Sequence, residues 1–245
     1  RMKRLRPDVV ACSAATSACE KGSQWHKALG IVSDMRLRRL GLDVIVCNAA
    51  LSACEKSSEW LTAISMLSDM RLRRVAPDVV TYNAAISACE KGGHLDEALS
   101  LISDMLSRGH TPDVVTHNAA ISVCEKSARW QEALGVLSDA RARRSAPDAT
   151  TYNAGISACE KGAQWQEALG LLSDMRTRRL EADRITYNAV MSACDKGTQS
   201  SWALSLLDGM RAGVLQKGSL RGRVFVSCDF EHIHSRRALY WCIQT

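Results

Sequence analysis

The sequence predicts an all-α fold, a solenoid of antiparallel helix pairs stacked in one elongated array. Three ladders carry that prediction. Aspartate recurs with a step of 35 residues at Asp8, Asp43, Asp78, Asp113, Asp148 and Asp183. Five residues further on, the same step runs through Ser13, Asn48, Asn83, Asn118, Asn153 and Asn188, and a third ladder through Lys21, Lys56, Lys91, Lys126, Lys161 and Lys196. Repetition without insertions means that each unit contacts only its neighbours and that the chain offers one long, regularly textured surface.

The units are 9–43, 44–78, 79–113, 114–148, 149–183 and an incomplete 184–212. Residues 213–245 fit neither helix of a unit and are expected to be a cap or disordered chain. In the third unit, Pro77-Asp78 signals a helix start, because Asp accepts from an orphan backbone N–H and its charge suits the positive end of the helix dipole. The first helix is expected from about Val79 to Glu90, with Tyr82, Ala85, Ile86 and Cys89 forming an apolar stripe at helical spacing. Gly92 and Gly93 then end it with a left-handed cap. A second helix follows from about His94 to Arg108, with Leu95, Ala98, Leu99, Ile102 and Met105 on one face. Ala28, Ala63, Ala98, Ala133, Ala168 and Ala203 hold one place in every unit, as close approach of two helix backbones requires. Trp25, Trp60, Trp130 and Trp165 share the start of the second helix, where the third unit has Leu95; that exchange favours packing over base stacking.

With 245 residues and 46% hydrophobic content the core is ample but linear. Net charge is +6, from 32 Lys+Arg against 26 Asp+Glu, which permits an anionic partner without demanding one. Of ten cysteines, Cys19, Cys54, Cys89, Cys124, Cys159 and Cys194 form another ladder. Equivalent places in stacked units lie about 10 Å apart, beyond the ~7 Å Cα separation a disulfide tolerates, so these are read as reduced core residues. No apolar run reaches the ~18 residues of a membrane span. The chain begins at Arg1 inside the repeat register, so a fragment or processed product is expected, with any targeting peptide outside it.

The face of the first helix opposite the apolar stripe carries Val80, Asn83, Ser87 and Glu90. Asn is a poor helix-interior residue because its amide competes for backbone hydrogen bonds. Five in register suggest an amide aimed into a groove; local bonding copied by duplication is the alternative.

The unit from Val79 to Asp113 resembles the pentatricopeptide repeat in length, in its TYN opening, in EAL and in its closing PD, and the resemblance covers Val9 to Arg211. It implies a right-handed superhelix whose first helices line a concave groove holding single-stranded RNA, one nucleotide per unit. Base choice in the family depends on the fifth and last residues of a unit. Here those pairs are Ser13 with Asp43, Asn48 with Asp78, Asn83 with Asp113, Asn118 with Asp148 and Asn153 with Asp183; Asn188 lacks an Asp partner, because Gly218 falls at the corresponding place. The resemblance associates Asn plus Asp with uracil, and hence four consecutive uracil preferences. It also implies that Val10, Ile45, Val80, Val115, Thr150 and Ile185 sandwich the bases and that the lysine ladder approaches phosphates. A solvated lysine complementing the helix dipole is the alternative for that ladder. Glu20, Glu55, Glu90, Glu125, Glu160 and Asp195, directly before the lysines, are expected to offset them.

The arginine pairs Arg38-Arg39, Arg73-Arg74, Arg143-Arg144 and Arg178-Arg179 read as surface charge. Asp34, Asp69, Asp104, Asp139 and Asp174 are repeated and so do not form a unique nuclease centre. His232 and His234 with Cys228 and Cys242 lack metal-ligand spacing, and no nucleophilic triad, phosphate loop or paired-carboxylate site stands above the repeat. No catalysis, cofactor, metal or membrane association is expected. The expectation is a monomeric binder of U-rich single-stranded RNA, with possible protein partners in an RNA-processing complex. By resemblance it acts in organellar (chloroplast or mitochondrial) RNA processing, stability, splicing or translation. A peptide-binding helical scaffold, or a duplicated array binding generic single strands through lysines, are the alternatives.

Overall fold

Each aspartate of the ladder opens a helix. Asp78 sits in extended backbone and its carboxylate accepts the Thr81 N–H at 2.8 Å, while the Thr81 hydroxyl accepts the Asp78 N–H at 3.1 Å. This reciprocal box recurs at Asp113 with Thr116, Asp148 with Thr151 and Asp183 with Thr186. Asp8 and Asp43 make only the acceptor half, because Ala11 and Val46 stand where the later units have threonine.

The computed structural model describes residues 7–143 and 145–211. The tail at 213–245, Gly218 and Arg144 lie outside the described residues. Six helix pairs follow in order: α1 Val9–Lys21 and α2 Trp25–Leu37, α3 Val44–Lys56 and α4 Trp60–Leu72, α5 Val79–Gly92 and α6 Leu95–Ser107. The second half repeats the pattern: α7 Val114–Lys126 and α8 Trp130–Ala142, α9 Ala149–Lys161 and α10 Trp165–Thr177, α11 Arg184–Lys196 and α12 Ser200–Arg211. No strand occurs among the described residues. In the third unit the first helix runs through Gly92, two residues beyond the expected end, and Gly93 takes the left-handed cap with φ 75°. The same turn is made without glycine by Ser23, Ser58, Ala128, Ala163 and Thr198.

First helices α1, α3, α5, α7, α9 and α11 pack against one another along the array, whereas among the described residues the backbone of each second helix comes close only to first helices. Units of that wedge shape curve toward the first-helix layer, which therefore forms the concave side. Between the layers Ala28, Ala63, Ala98, Ala133 and Ala168 are fully buried, as the close approach requires. Buried Cys54, Cys89, Cys124, Cys159 and Cys194 are free thiols. Burial pushes the thiols of Cys54, Cys89, Cys124 and Cys194 up to about 11 and that of Cys159 up to about 12, so they stay protonated and inert. The tryptophans pack, as the Leu95 exchange indicates. A Cβ added to Gly162 would come within 2.4 Å of Trp130 Cδ1, and one on Gly197 within 2.3 Å of Trp165 Cδ1.

The outer helices are tied by side chains. Arg71 of α4 bonds both Tyr82, whose hydroxyl it meets at 3.0 Å, and Asp104 of α6; the Tyr82 hydroxyl in turn donates to Asp104 at 2.5 Å. Arg36 pairs with Asp69, Arg141 with Asp174 (which also accepts from Tyr152), and Arg176 meets the Tyr187 hydroxyl at 2.9 Å. The aspartates also bind the arginine four residues on, as Asp69 does Arg73 and Asp104 does Arg108. The junction between the third and fourth units departs from this pattern, with Leu106 in place of arginine and His117 in place of tyrosine. His117 Nδ1–H donates to the Asp113 carbonyl at 2.7 Å, and Nε2 stops 3.9 Å from Asp139 beside a cavity of about 190 Å³.

Thermal unfolding reads three consequences for stability. Gly162→Ala should cost about 1–3 kcal/mol through the Trp130 overlap, whereas Gly135→Ala, in open space inside α8, should add about 0.5–1 kcal/mol. Leu106→Arg combined with His117→Tyr should rebuild the missing tie and raise stability by about 1 kcal/mol.

Candidate nucleic-acid interface

On the concave layer the fifth residue of one unit reaches the last residue of the same unit. Asn48 Nδ2 donates to Asp78 at 3.2 Å, Asn83 Nδ2 to Asp113 at 3.1 Å and Asn118 Nδ2 to Asp148 at 3.5 Å. The pairs span about 30 positions of sequence because the Asp, while ending its unit, also caps the next first helix, which packs directly on the helix carrying the Asn. A third partner closes each cluster. The hydroxyl of Thr81 reaches Asn48 Oδ1 at 2.6 Å, that of Thr116 reaches Asn83 at 2.5 Å, that of Thr186 reaches Asn153 at 2.7 Å, and Thr151 bonds Asn118. A carboxylate only accepts, so the amide nitrogen must face Asp and the amide oxygen must face Thr. Each amide is left with one N–H and one lone pair to offer.

The carboxylates are fully charged. Burial alone would raise them, but the threonine N–H and hydroxyl and the asparagine amide outweigh it and hold Asp78, Asp113 and Asp148 below the usual carboxylate value. At Asp183 the Thr186 N–H leads in the same direction.

Next to the amides lies a row of apolar side chains without cover. Val10 is 75% exposed, Ile45 64%, Val80 56%, Val115 55% and Ile185 65%, and Thr150 is exposed in the same place. A β-branched side chain in water once per unit does nothing for the fold, so the row is available to a flat ligand.

The lysines sit at the C-termini of the first helices, exposed, and the five after Lys21 are each matched to the glutamate of the preceding unit: Lys56 with Glu20 at 3.1 Å, Lys91 with Glu55 at 2.9 Å, Lys126 with Glu90 at 2.6 Å, Lys161 with Glu125 at 3.0 Å and Lys196 with Glu160 at 2.9 Å. The offset expected from the glutamate row is thus made by direct ion pairs. Ser13 lies half-buried in α1, and Asp43, its pair in the first unit, accepts the Val46 N–H at 2.9 Å as the cap of α3. Asn188 is exposed on α11, and its partner position lies outside the described residues. The sequence signal for these threonines is the 35-residue step of Thr81, Thr116, Thr151 and Thr186, two residues before each Asn.

The fold and the clustered Asn, Asp and Thr define an all-α repeat solenoid with a regular polar and apolar track on its inner face. The chain belongs to the pentatricopeptide repeat family: the PPR repeat family matches residues 42–91, 77–126 and 147–196, together more than half of the chain. No curated protein matches it at the sequence level. Among solved structures it is similar to the pentatricopeptide repeat protein PPR10 from maize, with 26% identity over 85% of this chain and a TM-score of 0.63. PPR10 in complex with an 18-nt psaJ RNA element aligns at 30% identity over 85% of this chain with a TM-score of 0.61. The chain spans about 30% of the length of PPR10. The PPR domain of Arabidopsis thaliana protein-only RNase P 1, in complex with tRNA, shares the fold at 14% identity, with 74% of this chain and 96% of that one covered and a TM-score of 0.66.

The pKa directions predict the acid limit of the array. A carboxylate whose folded pKa is depressed contributes stability that is complete above its unfolded value, about 4, and lost as pH falls through the folded value. Thermal midpoints should therefore be level from pH 7 to about 5 and drop below about 4. Asp113→Asn should cost about 0.5–1 kcal/mol at pH 7 and make that drop shallower.

Proposed function

We propose that the chain binds single-stranded RNA along its first-helix layer, one nucleotide per unit, and prefers uracil at four consecutive positions. The observation that carries this reading is the amide of Asn48, Asn83, Asn118 and Asn153, held by Thr and in three cases seen bonded to Asp, beside an exposed aliphatic side chain or, for Asn153, exposed Thr150. One free N–H and one free lone pair match the acceptor and N3–H of a uracil edge. The aliphatic row supplies the faces between which bases lie. Family membership and the RNA-bound state of PPR10 support the same ligand class. Organellar RNA processing, stability, splicing or translation is the setting proposed, on family resemblance, and the activity is binding and not catalysis.

The lysine ladder contributes phosphate contacts whose strength is reduced by its glutamates. Binding should accordingly depend only moderately on salt: the fall of log K with log salt should be less steep than about −4, the value for six unopposed lysines on a single strand at ~0.7 each.

Equilibrium binding to labelled oligo-U, oligo-A and oligo-C across a salt series tests the reading. Oligo-U should bind tightest, and Asn83→Thr or Asn118→Thr should each weaken it by about three- to tenfold. Equal affinity for the three with a steep salt slope would contradict base selection, and no binding at low salt would favour a peptide-binding scaffold.

A further inference from the structure

An asparagine amide can turn over with almost no change of shape, exchanging donor and acceptor. A site that reads uracil through one N–H and one lone pair must prevent that turn, since the reversed amide offers the pattern that suits cytosine, whose N3 accepts and whose N4 donates. We infer that Thr81, Thr116, Thr151 and Thr186 do this, each as a positioning residue for base choice in the unit before it. The inference rests on the base-selection reading above and adds a third residue to each selecting pair.

The geometry is the same four times. Each threonine hydroxyl lies against the amide oxygen of the preceding unit's asparagine, at 2.6 Å for Thr81, 2.5 Å for Thr116 and 2.7 Å for Thr186, with Thr151 bonded likewise to Asn118. The hydroxyl accepts the N–H of its own capping aspartate, so its orientation is already set, and its single proton points to the amide oxygen and the Asp oxygen. Asp pins one end of the amide and Thr the other. Thr81, Thr116 and Thr151 have no exposed surface and Thr186 has 1%, so none can touch RNA. The first unit supplies the internal contrast: its fifth residue is Ser13, not Asn, and Val46 stands where the threonine would be.

The test is Thr116→Val, which keeps shape and removes the hydroxyl, assayed on oligo-U carrying one cytosine moved along the strand. In the parent protein a cytosine opposite the third unit should weaken binding. In Thr116→Val that penalty should shrink by about three- to tenfold, the worth of one net hydrogen bond, at that nucleotide alone. Thr116→Ser should restore it, and Thr151→Val should move the loss one nucleotide along. A purely structural threonine would lower affinity for every strand alike; that result, or an unchanged penalty profile, would overturn the inference while leaving base selection intact. A parent protein indifferent to cytosine at all four positions would overturn the base-selection reading and this inference with it.

Discussion

One carboxylate per unit joins the fold to the surface it presents. The aspartate that ends each unit caps the following first helix, and at Asp78, Asp113 and Asp148 it also accepts from the amide of the asparagine 30 residues back. Register between units and register of the amides are therefore the same quantity. A single inserted residue would separate them, which is a physical reason for a period without insertions over 175 residues, from Asp8 to Asp183. Capping alone would keep the aspartate but would place no demand on residue five. The recurrence of Asn at a position poor for helix propensity is what the shared carboxylate explains.

Much of this was legible in the sequence. Period, helix pairing, apolar stripe, alanine contacts and the packing role of tryptophan follow from spacing and residue size, and helical spacing put Asn and the aliphatic row on one face. What spacing could not show is contact between units. The lysines repeat as regularly as the asparagines, yet only the stacking reveals that Lys91 meets Glu55 and Lys126 meets Glu90, one unit back. Nothing in spacing distinguishes Thr116 from a helix-start threonine, because its second bond runs to the neighbouring unit. Likewise the aspartates of the second helices read only as a repeated row, whereas Asp69, Asp104 and Asp174 each receive an arginine from the unit before.

These inter-unit pairs shape the electrostatics of the concave face. A net charge of +6 suggests an attractive surface, but the lysines nearest the track are neutralised locally, and half-exposed ion pairs of this kind add little stability. Under the proposed function, selectivity comes from the amide edges and aliphatic faces, not from a basic field that would hold any strand. The exception in the outer wall, Leu106 of α6 with buried His117 of α7, lies between the two layers beside a cavity, and the Thr116–Asn83 and Thr151–Asn118 bonds of the track are kept on either side of it.

The most direct measurement of the central claim is selection of bound molecules from a pool of random single-stranded RNA, followed by sequencing. The account predicts enrichment of a run of four uracils, matching the units that hold Asn48, Asn83, Asn118 and Asn153. Enrichment of no sequence, or of one unrelated to a four-uracil run, would contradict it.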